Sequence, residues 1–344
     1  MPEAPHQRAP AATEARPRRL DLERAKGIAI LLVVLGHIVA REAPLGIEWY
    51  EPLRQAIYRF HMPFFLYLSG TVLVLSGAAA TPPAAWPGLL RRRAQRLLLP
   101  FFLLGLLILA AKLAAQPLLH VDNPPDGLAG GLRDLFWTTA RSPAVTIWYL
   151  AVLFLATLLA VPLLRAGLGA GALVLLGLVL LAVGLPPVLY LDRLAGHFVF
   201  FAAGLWVAAR EARLLPLFEA RILLWWSLFG LAMAAAAAGL LPGRWAMLVC
   251  GLLAIPALHG LVRLPPVSHW RWPLLLGGFA MAIYLFNTLA IGGTKALLIK
   301  AGLGWTAEAF WAHAILLTLA GLVLPMLLKR LVLRRLPPLD RMTD

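Results

Sequence analysis

Lys26 and His37 stand eleven residues apart in "DLERAKGIAILLVVLGHIVA", residues 21 to 40, with an almost unbroken apolar run between them. On a helix, eleven residues turn through about 1100°, three turns plus about 20°, so both side chains lie on one stripe about 16 Å apart along the axis. Arg24 falls on the other side. An imidazole at lipid depth is costly and marks a functional site by default, although a neutral ring bonded to a neighbouring helix is the plainer role. Imidazole titrates near neutrality, burial favours its neutral form, and a neutral ring can take a proton from a hydroxyl. These residues therefore predict a buried base with a cation below it on the same face.

Three further stretches carry polar groups in apolar surroundings. In "YRFHMPFFLYLSG" (58–70), Pro63 disturbs the start of a helix, while Ser69 and Gly70 make a small face suited to close helix approach. His61 there reads as structural. In "RRRAQRLLLPFF" (91–102), Arg91, Arg92, Arg93 and Arg96 precede an apolar span. Such a cluster orients the chain in the membrane and meets lipid headgroups; it also suits phosphate oxygens. In "GGFAMAIYLFNTLAIGG" (277–293), Tyr284 and Asn287 are three apart and share a face. Polar glue between helices is the plainer role of Asn287. His197, His259, His313, Glu308 and Lys112 show no metal-ligand spacing, so no metal is expected. No phosphate-binding glycine loop, nucleophile elbow or paired-cysteine motif occurs.

The elements that position these residues follow from hydropathy. Of 344 residues, 61% are hydrophobic and 14% charged, against about 25% charged in soluble domains. Crossing about 30 Å of hydrocarbon takes roughly 20 apolar residues. Ten such runs are expected, at about 27–43, 59–77, 97–118, 147–165, 170–189, 196–210, 222–241, 245–263, 274–292 and 308–329. The expected fold is all-α, a polytopic transmembrane helix bundle. With the N-terminus inside, 21 Lys and Arg residues fall inside and nine outside, which predicts both termini in the cytoplasm. The net charge of +15 is distributed in these short inter-span clusters, unlike the basic face of a nucleic-acid binder. Residues 1–20 are polar, Pro-rich and basic without the apolar core of a signal peptide, and read as a disordered cytoplasmic tail. Residues 21–335 form the membrane domain and 336–344 a short cytoplasmic tail. The connection 119–146, with "NPPDG" at its centre, is the longest expected on the outer side and suited to cover a site there. A lone Cys250 excludes an intramolecular disulfide.

In order along the chain, "LDLERAKGIAILLVVLGH", "FHMPFFLYLSG", "RRRAQRLLLPFF" and "AIYLFN", with "IWYLAVLF" at 147–154 as a weaker fifth, resemble the membrane acyltransferase-3 family of O-acyltransferases. The wording around His37 is most similar to the branch related to fucose 4-O-acetylases. The resemblance spans about 20 to 330. It implies transfer of an acyl group, most often acetyl, from cytoplasmic acyl-CoA to a carbohydrate or glycolipid hydroxyl, in the bacterial inner membrane. No permanently bound cofactor is implied. His37 would be the catalytic base and Lys26 would orient the donor, with Arg91, Arg92, Arg93 and Arg96 meeting the CoA phosphates. Pro63, Ser69, Tyr284 and Asn287 would support the substrate or the structure. Membrane lipids are the other expected partners, and nucleic acid is not. Two positions depart from the family pattern. Lys26 stands where arginine is usual, keeping the charge without the bidentate fork, and Asn287 stands where many members carry histidine. A transporter or flippase for a sugar-linked lipid would also show intramembrane polar groups and broken helices. A silent scaffold is a third class.

Overall fold

The computed structural model describes residues 19–39, 43–117 and 124–343. Within them the chain is helical, with no strand among the described residues beyond one isolated bridge pair. In order the helices are α1 (Leu20–His37), α2 (Tyr50–Tyr58), α3 (His61–Leu75), α4 (Trp86–Ala115), α5 (Gly127–Phe136), α6 (Trp148–Arg165), α7 (Ala170–Val183) and α8 (Leu191–Ala208). There follow α9 (Glu211–Ala220), α10 (Ile222–Ala237), α11 (Gly243–Arg263), α12 (Trp272–Gly278), α13 (Ala280–Lys300), α14 (Phe310–Leu331) and α15 (Pro337–Met342).

Each of the ten apolar runs contains helix among the described residues, but not each is a long span. Six helices are long and apolar enough to cross a membrane, or up to seven if α9 and α10, bent by 79° at their joint, are one broken span. The difference has local causes. Helix α1 begins with Asp21, Glu23, Arg24 and Lys26, which dilute its apolar run. Helix α3 has 15 residues and α7 has 14, short of the roughly 20 that cross hydrocarbon. The run at 274–292 is divided between α12 and α13 at Phe279. Helix α4 starts at Trp86, so the arginine cluster lies on the helix itself and not in the loop before it. Residues 1–18 and Asp122 of the 119–146 connection lie outside the described residues.

Helix α8 is central: 72% of its apolar window is buried, against 22% for α14, whose exposed leucines suit lipid. Helices α3 and α8 cross backbone to backbone. A Cβ at Gly70 would lie 2.0 Å from the Phe201 carbonyl oxygen, and one at Gly204 would lie 2.1 Å from that of Tyr67. Gly70 therefore serves the close helix approach, while Ser69 beside it lines a cavity and meets Tyr149. Since backbone cannot yield as a side-chain tip does, Gly70→Ala is expected to destabilise the bundle by about 1–3 kcal/mol or more, read as a lower melting temperature in detergent.

The start of α1 is tied down by charge. Asp21 accepts from Arg19 and Arg263, both at 2.9 Å, and lies 3.4 Å from Nε2 of the buried His259. Nδ1 of His259 meets the Tyr67 hydroxyl at 2.5 Å, and Arg19 and Arg263 extend the network to Glu211 and Glu219 on α9. Helices α1, α3, α9 and α11 are thus locked at the end of the bundle from which Lys26 and His37 are measured.

Candidate functional site

His37 is the last residue of α1, where the final carbonyls of a helix lack intrahelical donors. Helix α2 supplies them. The Tyr50 hydroxyl donates to Leu35 O, the Tyr58 hydroxyl to Gly36 O at 2.9 Å, and Arg54 Nη1 to Val39 O at 3.3 Å. Arg54 also pairs with Glu51 at 2.7 Å and holds that carboxyl below the usual carboxylate range. Pro63, buried in the first turn of α3, falls at the joint where α2 gives way to α3 and packs toward Gly251. At that position its missing N–H interrupts no regular helix. The clamp fixes where α1 stops, and so where the imidazole begins.

Nδ1 of His37 lies 2.8 Å from Oδ1 of Asn287, which is fully buried on α13. The amide cannot turn over without loss: its Nδ2 donates to Ile283 O at 2.8 Å and to Tyr284 O at 2.9 Å. An amide oxygen only accepts, so Nδ1 carries the proton and donates. Nε2 therefore carries the lone pair, and it has no hydrogen-bond partner among the described residues. That is the tautomer of a base.

The bundle holds a cavity of about 260 Å³. Its polar lining includes Glu23, Lys26, Arg93, Arg96, Ser69, Tyr149 and Tyr284, with Met62, Phe65 and Met281 among the apolar residues. His37 is not in the lining. Tyr284 is, and it lies one turn before Asn287 on the same face of α13, about 4.5 Å along the axis. Lys26 pairs with Glu23 at 3.1 Å, and Arg24 points away, its Nε 3.4 Å from Trp270 O. Arg91 and Arg92 are exposed and stand outside the cavity, so the cluster divides into two cavity residues and two surface residues.

The hydroxyls inside are linked. Ser69 donates to Phe65 O at 3.0 Å and meets the Tyr149 hydroxyl at 2.5 Å, and the Tyr149 N–H donates to the Tyr284 hydroxyl oxygen at 3.3 Å. Tyr149 belongs to "IWYLAVLF", the weaker fifth stretch, and nothing in the local sequence marks its hydroxyl. Thr343, at the end of the segment expected to be a plain tail, also lines the cavity, and Lys329 Nζ donates to its carbonyl at 2.7 Å. His61 and His197 bond to the carbonyls of Ile57 and Arg193, and His313 to those of Leu303 and Gly304. These three are structural. No group of three or more candidate metal ligands occurs among the described residues.

A family model described as an acyltransferase domain matches residues 19–330. The chain belongs to the acyltransferase-3 family. Its apolar helices make it a multi-pass membrane protein. Among curated proteins, it is similar to nodulation protein NolL of Sinorhizobium fredii, 33% identical over 153 residues, which is 42% of this chain and 37% of that one. It is likewise similar to nodulation protein NolL of Mesorhizobium japonicum, 33% identical over 144 residues, 41% of this chain and 35% of that one. The chain thus matches little more than a third of the length of these relatives. No solved structure matches.

Proposed function

We propose that this protein is an O-acyltransferase that moves an acyl group, in the first instance acetyl, from acyl-CoA to a hydroxyl of a cell-surface carbohydrate or its lipid-linked precursor. Its place is the bacterial cytoplasmic membrane. On this reading the ten helical runs thread the membrane with both termini in the cytoplasm. Lys26, Arg93 and Arg96 then mark the cytoplasmic mouth.

The observation that carries the reading is the locked His37–Asn287 pair together with a cavity that is lined by Lys26, Arg93 and Arg96 and reaches α13 at Tyr284, one turn from Asn287. A volume of about 260 Å³ is below the ~300–1,000 Å³ of pockets that enclose a drug-sized ligand. It suits the slender pantetheine arm, with the nucleotide left at the mouth where guanidinium groups meet its phosphates. His37 Nε2 takes the proton of the acceptor hydroxyl as the oxygen attacks the thioester carbon. Collapse of the intermediate expels the thiolate, which recovers that proton from the imidazolium, leaving an ester and free CoA. Lys26, already paired with Glu23, balances donor charge at the mouth.

The test is transfer of labelled acetyl from acetyl-CoA to envelope glycans by purified protein in lipid vesicles, recovered as a base-labile ester. Label that stays in CoA with every acceptor class tried would overturn the reading. In the same assay, Arg93→Ala with Arg96→Ala is expected to raise KM for acetyl-CoA about 10–100-fold, the loss of one or two hydrogen bonds to charged groups, with kcat little changed.

A further inference from the structure

We infer that Tyr284 is a catalytic hydrogen-bond donor, holding the carbonyl oxygen of the acyl donor as it becomes an oxyanion; this rests on the proposed acyl transfer. Four hydroxyl-bearing residues line the cavity, and their protons can be accounted for one by one; that of Thr343 goes to Asp340 O. The Ser69 proton goes to Phe65 O, which leaves the Ser69 oxygen to accept the proton of Tyr149. Tyr284 differs. Its oxygen accepts the backbone N–H of Tyr149 at 3.3 Å, while its own proton has no acceptor among the described residues.

The placement adds to this. Tyr149 is the second residue of the 18-residue α6, where N–H groups lack intrahelical partners and the helix dipole is positive. A hydroxyl oxygen that accepts such an N–H becomes a stronger donor through its own proton. Tyr284 is 7% exposed and lines the cavity, so the field at this proton is little screened by water. On the same face of α13, one turn on, Asn287 holds His37. An acyl carbonyl held at the Tyr284 hydroxyl would therefore lie one helical turn along α13 from the residue that holds the base.

The step balances without any further reagent. The acceptor oxygen bonds to the carbonyl carbon and gives its proton to His37 Nε2, and the carbonyl π pair moves onto the oxygen facing Tyr284. The pair then returns, the C–S bond breaks, and the thiolate takes the proton back from His37. Tyr284 donates a hydrogen bond throughout and is never deprotonated.

The experiment compares wild type, Tyr284→Phe and a protein carrying 3-fluorotyrosine at position 284, full-length and in lipid, near neutral pH. Tyr284→Phe is expected to lower kcat about 100-fold, as loss of one oxyanion donor does, with KM for acetyl-CoA nearly unchanged and a modest fall in melting temperature from the orphaned Tyr149 N–H. Fluorination acidifies the phenol and weakens its oxygen as an acceptor, so kcat should hold or rise if the proton matters. It should fall if the hydroxyl serves only to cap α6. A Tyr284→Phe enzyme with kcat within about threefold of wild type would overturn the inference alone, as would a fall in kcat on fluorination to the level of Tyr284→Phe. Absence of turnover by wild type would overturn the acyltransferase reading and this inference together.

Discussion

Replacing His37 by alanine is expected to slow acyl transfer by about 10²–10⁴-fold, the usual contribution of a positioned general base. The effect should fall on kcat. KM for the acyl donor should change little, because His37 does not line the donor cavity whereas Lys26, Arg93 and Arg96 do. Folding should survive the change. The clamp from Tyr50, Tyr58 and Arg54 engages backbone carbonyls of α1 and not the imidazole. Initial rates across donor concentrations, with the melting temperature of the variant beside wild type, separate these effects. A rise in KM at constant kcat would move His37 from the chemistry to donor binding.

The second large effect is expected at Asn287. Asn287→Leu keeps the volume and removes the acceptor at Nδ1, so nothing then selects the tautomer with a lone pair on Nε2. A fall in kcat of about 10–100-fold is expected, the scale on which an orienting partner is felt. The two carbonyls freed, those of Ile283 and Tyr284, lie within α13 and keep their place in its backbone ladder. Stability should therefore fall far less than activity, and thermal unfolding beside kcat checks that split. An Asn287→Leu enzyme with wild-type kcat would mean that the imidazole is oriented by something other than this amide.

What the sequence disclosed was whatever depends on helical period. Lys26 and His37 share a face because eleven residues close three turns, and Arg24 is turned away as that arithmetic requires. Tyr284 and Asn287 share a face for the same reason. The contact between Asn287 and His37 joins residues 250 apart, and no local pattern encodes it. Asn287 stood out as a polar residue in an apolar span and as a departure from a family motif, and its partner became visible once α1 and α13 were packed together. The arginine cluster divides because α4 begins at Trp86. Taking the span to start at 97 leaves all four arginines in a loop, where nothing ranks them. On the helix, Arg93 and Arg96 are neighbours and face the cavity. Hydropathy located the helical runs and overstated their length, since α3, α7 and α12 are cut short by turns that an apolar average passes over. Asp21, His259 and Arg263 were unreadable as a network for the same reason as the His37–Asn287 contact: their partners lie more than 200 residues away.

The central claim is that an acyl thioester is consumed at His37 when a hydroxyl acceptor is present. The most direct measurement is acceptor-dependent release of free CoA from acetyl-CoA by the purified protein in lipid nanodiscs, wild type beside His37→Ala. The account predicts thiol release by wild type that rises with acceptor and is lost in a folded His37→Ala protein. Equal release by the two proteins would contradict it.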